Sequence, residues 1–359
     1  MNLKSNILVI ILAFTMISPK IVFGEVEVPH AIVEAYPDSV QANLEAYERQ
    51  ISEISSSVTD APYYMIVAVT GRWKPGQIVR VAFNGGDKNL YKKIEDAATE
   101  WTKPNRANLT LEFKDKHGKY YTWNQSDINY SAEIRVAFSS GAGGGYWSHV
   151  GTNSTNKDIS SPGETSLNLE KFDVALPNDW KAVVIHEFGH AIGFQHEHQN
   201  PTGGCDFRFD DDTGYVQTKD SKGWYTNDPK GRRPGLYTYL GGKANYWPQW
   251  KVDSNLKSLQ NTQAYLIGGF DKNSIMKYFF NAFMFQKGEN SPCFTKTENI
   301  ELSELDIKGA NEAYPTDDSA IDSLVSKQTA VLQQIILAPN SSNSIVNSTK
   351  QRLQLLQLQ

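Results

Sequence analysis

His186, Glu187, His190, Gly193 and His196 are the residues of this chain whose types and spacing can act together on one reaction. On a helix, His186 and His190 lie one turn apart and turn both imidazoles to one face. Two ring nitrogens can then reach one zinc ion at roughly 2.0–2.1 Å. Glu187 follows the first ligand, where a carboxylate can take a proton from zinc-bound water instead of binding the metal. Gly193 permits a backbone conformation that ends the helix and turns the chain, so that His196 arrives as a third ligand. Three protein ligands leave the fourth position to water, the arrangement of a catalytic zinc site and not of a structural one.

A helix carrying this motif needs a start and a surface to lie on. Asn178 or Asp179 can cap it, and Trp180 with Val183, Val184 and Ile185 packs it inward. Upstream, Ile78–Phe83 has the β-branched and aromatic content of a strand. Leu90, Ile94, Ala97, Ala98 and Trp101 then form the apolar stripe of a helix that Pro104 stops. Leu109 to Phe113, Ala132 to Phe138 and Ser166 to Leu169 read as further strands. Asn84-Gly85-Gly86-Asp87 is a strand-to-helix loop with Asp87 near the helix start. The glycine run Gly141 to Gly145 lacks the Lys-Ser/Thr ending of a phosphate loop and reads as a flexible connection. The stretch Gln199–Ala264 is turn-rich and too long for a simple loop, so local structure is expected within it. Its Asp210-Asp211-Asp212 lacks the alternation of a calcium loop and reads as a solvated acidic loop. Ser303-Glu304-Leu305-Asp306 makes a capping box for a helix to about Ala313, ended by Pro315. Helices are also expected over Val40–Ile54 and around Ile321, Leu324, Val331, Leu332 and Ile335, with disorder at Asn340–Ser348.

The chain has 359 residues, 40% of them hydrophobic, and a formal charge of -5. That balance supports a substantial core and offers no basic footprint for nucleic acid. Lys4 and the apolar run from Ile7 to Ile17 read as a secretory signal peptide, cleaved after Gly24, the alternative being an uncleaved anchor. No membrane partner is expected once it is removed, and a secreted monomer results. Cys205 and Cys293 are the only cysteines, so they form one disulfide or remain free thiols. A bridge between them closes a long loop, a contribution of about 4–5 kcal/mol in the chain-entropy model. Sequons at Asn108, Asn124, Asn129, Asn153, Asn340 and Asn347 make a glycoprotein possible in a host with that machinery. His30 and His117 sit in polar contexts and read as surface residues.

The histidine motif extended by Gly193 and His196 is the metzincin signature. His196-Glu197-His198-Gln199 continues it in a way that resembles the astacin-like branch. Ser274-Ile275-Met276-Lys277-Tyr278 is similar to that branch's methionine turn, and Trp147-Ser148-His149-Val150-Gly151 to its upper edge strand. The resemblance covers about Trp73 to Pro315. It implies one catalytic zinc on His186, His190 and His196, with Glu187 as general base and proton shuttle. It implies that Tyr278 ligates the metal at rest and stabilises the oxyanion, and that Met276 underlies the site. An extended peptide substrate would pair with the edge strand Trp147, Ser148, His149, Val150 and Gly151. The resemblance has departures. The four-cysteine framework of animal astacins is missing, with Tyr146 where a cysteine would stand, and the segment between His196 and Met276 is long. Glu197, which in that family receives the mature amino terminus, has an internal salt bridge as its equal alternative here.

The expected fold is α+β and metzincin-like, a twisted mixed sheet backing the active-site helix with an irregular lower subdomain after Gly193. The expected division is a signal peptide (1–24), an extension or propeptide (25–70), a catalytic domain (71–316), and a C-terminal helix with a disordered tail (317–359). The expected function is that of a secreted zinc metalloendopeptidase. Its rivals are a zinc-retaining binding protein without turnover and a structural protein whose zinc holds the fold.

Overall fold

A computed structural model describes residues 35–54, 65, 67–243, 245–259, 265–266, 268–339 and 341–357. The expected signal peptide, His30 and the first part of the extension lie outside them. The elements are, in chain order, α1 (Asp38–Ile54), β1 (Val67–Ala68), β2 (Ile78–Phe83), α2 (Lys88–Ala98), β3 (Thr110–Glu112), β4 (Tyr121–Thr122), β5 (Ile134–Ala137), β6 (Tyr146–Ser148), β7 (Leu167–Leu169) and α3 (Trp180–Ala191). There follow β8 (Thr218–Lys219), β9 (Tyr225–Thr226), α4 (Leu236–Leu240), α5 (Gln249–Leu256), β10 (Tyr265–Leu266), α6 (Glu304–Ala313), α7 (Asp318–Leu337) and α8 (Asn343–Gln357).

β2 is the spine of the sheet. It pairs in parallel with β3 through Ile78–Arg80, with β4 through Ala82–Phe83, and with β5 on its other side. β7 continues the parallel run from β5, and β6 closes it antiparallel to β7. The order β3-β2-β5-β7-β6 therefore leaves β6 at an edge. Val79, Val81 and Phe83 point into one core with Leu90, Ile94 and Ala97 of α2 and with Val184, Ile185 and Phe188 of α3. The fold is the expected mixed α+β architecture.

The turn chemistry read from the sequence is present at two helix starts. Asp87 caps α2, accepting from the Leu90 amide at 2.8 Å. Ser303 and Asp306 form a reciprocal capping box on α6. At α3 the expectation needs correction: Asp179 occupies the cap position, but its side chain makes no capping bond. Burial holds this helix instead, since Ala182 and every residue from Val184 to Ala191 are buried. A helix enclosed on all sides gains its stability from packing more than from its ends.

Below Gly193 a second core forms around Phe207, Leu236, Leu240, Trp247, Val252 and Phe285. The long stretch after His196 holds the expected local structure, a β8–β9 hairpin with helices α4 and α5. The Cys205–Cys293 disulfide is formed across it, with a sequence separation of 88. The acidic run belongs to the same scaffold. Asp211 accepts from the Gly235 amide ahead of α4 and from Thr238 within it, and Asp212 pairs with Arg233 at 3.1 Å.

The C-terminal tail also needs correction. Where disorder was expected at Asn340–Ser348, α8 runs from Asn343 to Gln357 and packs along α7. Ile345, Thr349, Arg352 and Leu356 face inward at helical spacing. Arg352 donates to the Thr70 carbonyl at 3.2 Å and to Asn153 at 2.5 Å. Leu44 and Tyr47 of α1 join Ile335 of α7 and Ile345 of α8 in one small cluster against Ile159.

Candidate active site

α3 delivers His186, Glu187 and His190 from one buried helix, and its register is fixed from outside. Trp101 donates to the Ile185 carbonyl at 2.7 Å and Trp73 to the Ala191 carbonyl at 2.9 Å. Tyr314 donates to the Ile192 carbonyl. Ala191 and Ile192 stand at the helix end, where carbonyls lack a partner within the helix, so Trp73 and Tyr314 both satisfy and anchor it, while Trp101 grips the helix body. Gly193 then adopts φ +104, a conformation side chains disfavour, and the chain turns towards His196.

The three histidines converge. The Nε2 atom of His190 lies 3.2 Å from that of His186 and 3.0 Å from that of His196. Tautomers follow from the other ring nitrogens. His186 Nδ1 lies 2.7 Å from the Ile275 carbonyl and His190 Nδ1 lies 2.7 Å from the Phe194 carbonyl. A carbonyl only accepts, so both Nδ1 atoms carry the proton and both Nε2 atoms present lone pairs. Lone pairs facing each other at this distance repel unless a cation lies between them. Tetrahedral zinc with nitrogen ligands places neighbouring nitrogens about 3.3 Å apart, which matches this spacing. The backbone carbonyls behind His186 and His190 are the outer support such ligands need. The donor set fits zinc, and the three ligand atoms all lie within 4.8 Å of one another.

Met276 is fully buried beneath the site. A Cβ added at Gly189, between the two helical ligands, would stand 2.4 Å from its sulfur and 2.9 Å from Trp101. Gly189 is therefore the contact that lets the methionine turn approach α3. The turn itself hangs on Asp306. One of its carboxylate oxygens accepts from Ser274 Oγ at 2.5 Å, and the other from the Ile275 amide at 2.8 Å and the Ser303 amide at 2.9 Å. Asp306 reads locally as a helix cap; its hold on Ile275, and through that carbonyl on His186, has no local signal. Burial pushes its carboxyl up to about 6.

Glu187 is 1% exposed, between the two helical ligands. The Tyr278 ring stands 5.5 Å from that of His186 and 4.4 Å from that of His196. Glu197 does not form the salt bridge that was one of its two expected roles. Its Oε1 accepts from Asn200 at 2.8 Å and from the Asp271 amide at 3.0 Å, and its Oε2 has no partner. Burial and the nearby Asp306 and Asp271 raise its pKa to about 8, against the lowering effect of those hydrogen bonds.

Trp147 and Ser148 lie in β6, and His149 to Gly151 continue from it. Register 147 opposite 168, with the His149 amide donating to Ser166 at 2.8 Å, turns the odd residues towards β7. The Ser148 carbonyl therefore faces outward. Tyr36 donates to it at 2.6 Å and packs its ring 5.8 Å from His149 and 5.9 Å from Trp147. Lys251 of α5 holds the Tyr36 carbonyl at 2.9 Å and the Asp38 carboxylate at 2.6 Å. Sequence reading marked the edge strand but gave no sign that this segment covers it.

No protein-family model matches the chain. Zinc metalloproteinase nas-3 of Caenorhabditis elegans is 25% identical over 158 residues, which is 44% of this chain and 36% of that protein. The match thus spans little more than a third of that relative's length. A solved structure of myroilysin, an astacin-family metalloprotease, covers 70% of this chain and 99% of its own. It shares 28% identity and gives a TM-score of 0.50. In its mixed sheet and its histidine triad the chain is similar to these zinc metalloproteases.

Proposed function

We propose that this chain is a secreted zinc-dependent endopeptidase that hydrolyses peptide bonds. The observation that carries this reading is the convergence of two Nε2 lone pairs with the ring of His196 beside a buried Glu187. His186, His190 and His196 would hold one zinc ion. When bound, the metal supplies a Lewis acid that lowers the pKa of water towards neutrality and polarises a carbonyl. Glu187 accepts the proton of the attacking water and returns it to the leaving amine nitrogen. Tyr278 donates its phenolic hydrogen to the carbonyl oxygen as that oxygen gains charge, a kind of contribution worth roughly 3–4 kcal/mol. An extended peptide pairs with the outer edge of β6 through the Ser148 backbone, a form of β-augmentation.

Such pairing requires Tyr36 to leave the Ser148 carbonyl. Residues 25–70 therefore act as a removable propeptide in this reading, and 71–316 as the catalytic domain. Secretion rests on the N-terminal apolar run with Lys4 and agrees with the formed disulfide. Among the described residues no helix is long and apolar enough to cross a membrane. Glycosylation would fall on exposed Asn124, Asn129 and Asn347. Asn153 is buried, with its Oδ1 accepting from Arg352, and the Asn108 amide donates to the Pro315 carbonyl at 2.8 Å, so neither is open to modification in the fold.

The test is cleavage of a broad peptide library by the secreted protein, with and without a chelator. Glu187→Gln should retain one zinc per chain and lose cleavage by at least a thousandfold. A wild-type protein whose cleavage is absent, or is unchanged by the chelator, ends the peptidase reading.

A further inference from the structure

His198 is 0% exposed, two residues beyond the third zinc ligand, and the mechanism above gives it no task. Its ring lies 4.7 Å from Tyr278 and 5.0 Å from His196, and meets Phe280 edge-on at 5.0 Å. Tyr278 thus packs against His198 at 4.7 Å and His196 at 4.4 Å, and its ring also lies 5.5 Å from that of His186. His198 Nε2 donates to the Asn255 carbonyl at 2.8 Å, in the last turn of α5. Its neighbour Gln199 donates to the Ser254 and Lys257 carbonyls at 2.8 and 3.0 Å. The chain leaving the third ligand is therefore clamped to the C-terminal end of α5, where helix carbonyls need outside donors.

A phenylalanine would fill the same apolar space. The histidine instead leaves Nδ1 buried with no partner, a cost that a core chosen for stability alone avoids. What the imidazole adds over a phenyl ring is the bond to Asn255, which fixes the plane of a ring in contact with Tyr278. We propose that His198 is the positioning residue for Tyr278: anchored on α5, its ring forms the wall that holds the phenol at the metal-binding triad. This rests on the peptidase reading for its catalytic consequence, but not for its geometry. The long segment after His196 becomes an element of the active site, acting through α5.

The experiment uses the full-length protein loaded with zinc for kinetics and with copper(II) for spectroscopy. A phenolate beside copper(II) gives a visible charge-transfer band, which Tyr278→Phe should abolish. His198→Phe keeps a ring but loses the anchor. It should lose at least half of that band, lower kcat about tenfold, leave KM within twofold, and keep one zinc per chain. The double variant with Tyr278→Phe should be no slower than Tyr278→Phe alone, because His198 acts through the phenol. If His198→Phe does not fold, His198→Asn, smaller than the native ring, serves the same comparison. An unchanged band, penalties that multiply in the double variant, or a wild-type protein without the band overturns the assignment. A wild-type protein that shows the band but cleaves no peptide defeats the peptidase reading, and the band comparison alone then decides the role of His198.

Discussion

Replacing Asp306 by alanine should loosen the fold and the zinc site together. The carboxylate accepts from Ser274 Oγ, the Ile275 amide and the Ser303 amide, and it is 0% exposed. Alanine leaves three donors in a site without water access, at about 1–3 kcal/mol for each that finds no substitute. Opposing this, burial holds the Asp306 carboxyl at about 6, so its ionisation is itself costly in the fold. The sign follows from a raised acid pKa. The contribution of the group is full below the unfolded value of about 3.9 and is lost as pH rises through about 6. The advantage of wild type over Asp306→Ala should therefore be about 3 kcal/mol at pH 8 and about 1.4 kcal/mol larger at pH 5. Urea unfolding of the zinc-free proteins at the two pH values measures both quantities. Zinc should bind 10- to 100-fold more weakly in a chelator competition, since the Ile275 carbonyl no longer holds His186 in place. A stability gap that widens with rising pH, or an unchanged zinc affinity, refutes the chain of contacts from Asp306 to His186.

Two further outcomes follow from the edge strand. Burial, with the nearby Arg135, lowers the His149 pKa to about 3. A depressed histidine contributes stability above the unfolded value of about 6.5 and loses it as pH falls, by about 2.7 kcal/mol at pH 4.5. His149→Phe should flatten that part of the pH–stability curve, and parallel curves for the two proteins would show that the ring is protonated in the fold. Tyr36→Ala removes one hydrogen bond from the Ser148 carbonyl, a contact of about 0.5–1.5 kcal/mol. It should raise kcat/KM of the uncleaved chain roughly 2- to 10-fold on a quenched peptide, and no rise means that Tyr36 does not lie on the path of the substrate.

The histidine triad could be read because its geometry is local. His186, Glu187 and His190 share one helical turn, and Gly193 and His196 follow within the next few residues, so spacing alone carries the chemistry. The elements around it were legible for the same reason. Hydrophobic period located α2 and β2, and the caps at Asp87 and Ser303 marked where α2 and α6 begin. The tail shows where this reasoning stops. Serine and asparagine at 340–348 look like disorder, yet α8 forms because Ile345, Thr349, Arg352 and Leu356 all find partners in the fold. Two of those four are polar, and a period counted on apolar residues alone passes over them.

The supports of the site were hidden for a different reason, which their sequence separations make plain. Ile275 lies 89 residues from His186, and Asp306 lies 31 from Ile275. Asn255 lies 57 from His198, and Tyr36 lies 112 from Ser148. Each is a single backbone or carboxylate contact, made once, with no repeat for a pattern to expose. Gly189 is the clearest case. Within the motif it looks like a neutral position, and only the sulfur of Met276 pressing on α3 explains why no side chain is there. The ligands could thus be read from their spacing, whereas whatever holds them still is distributed over the whole chain. A variant that keeps all three histidines can therefore lose the site through Asp306, Gly189 or His198.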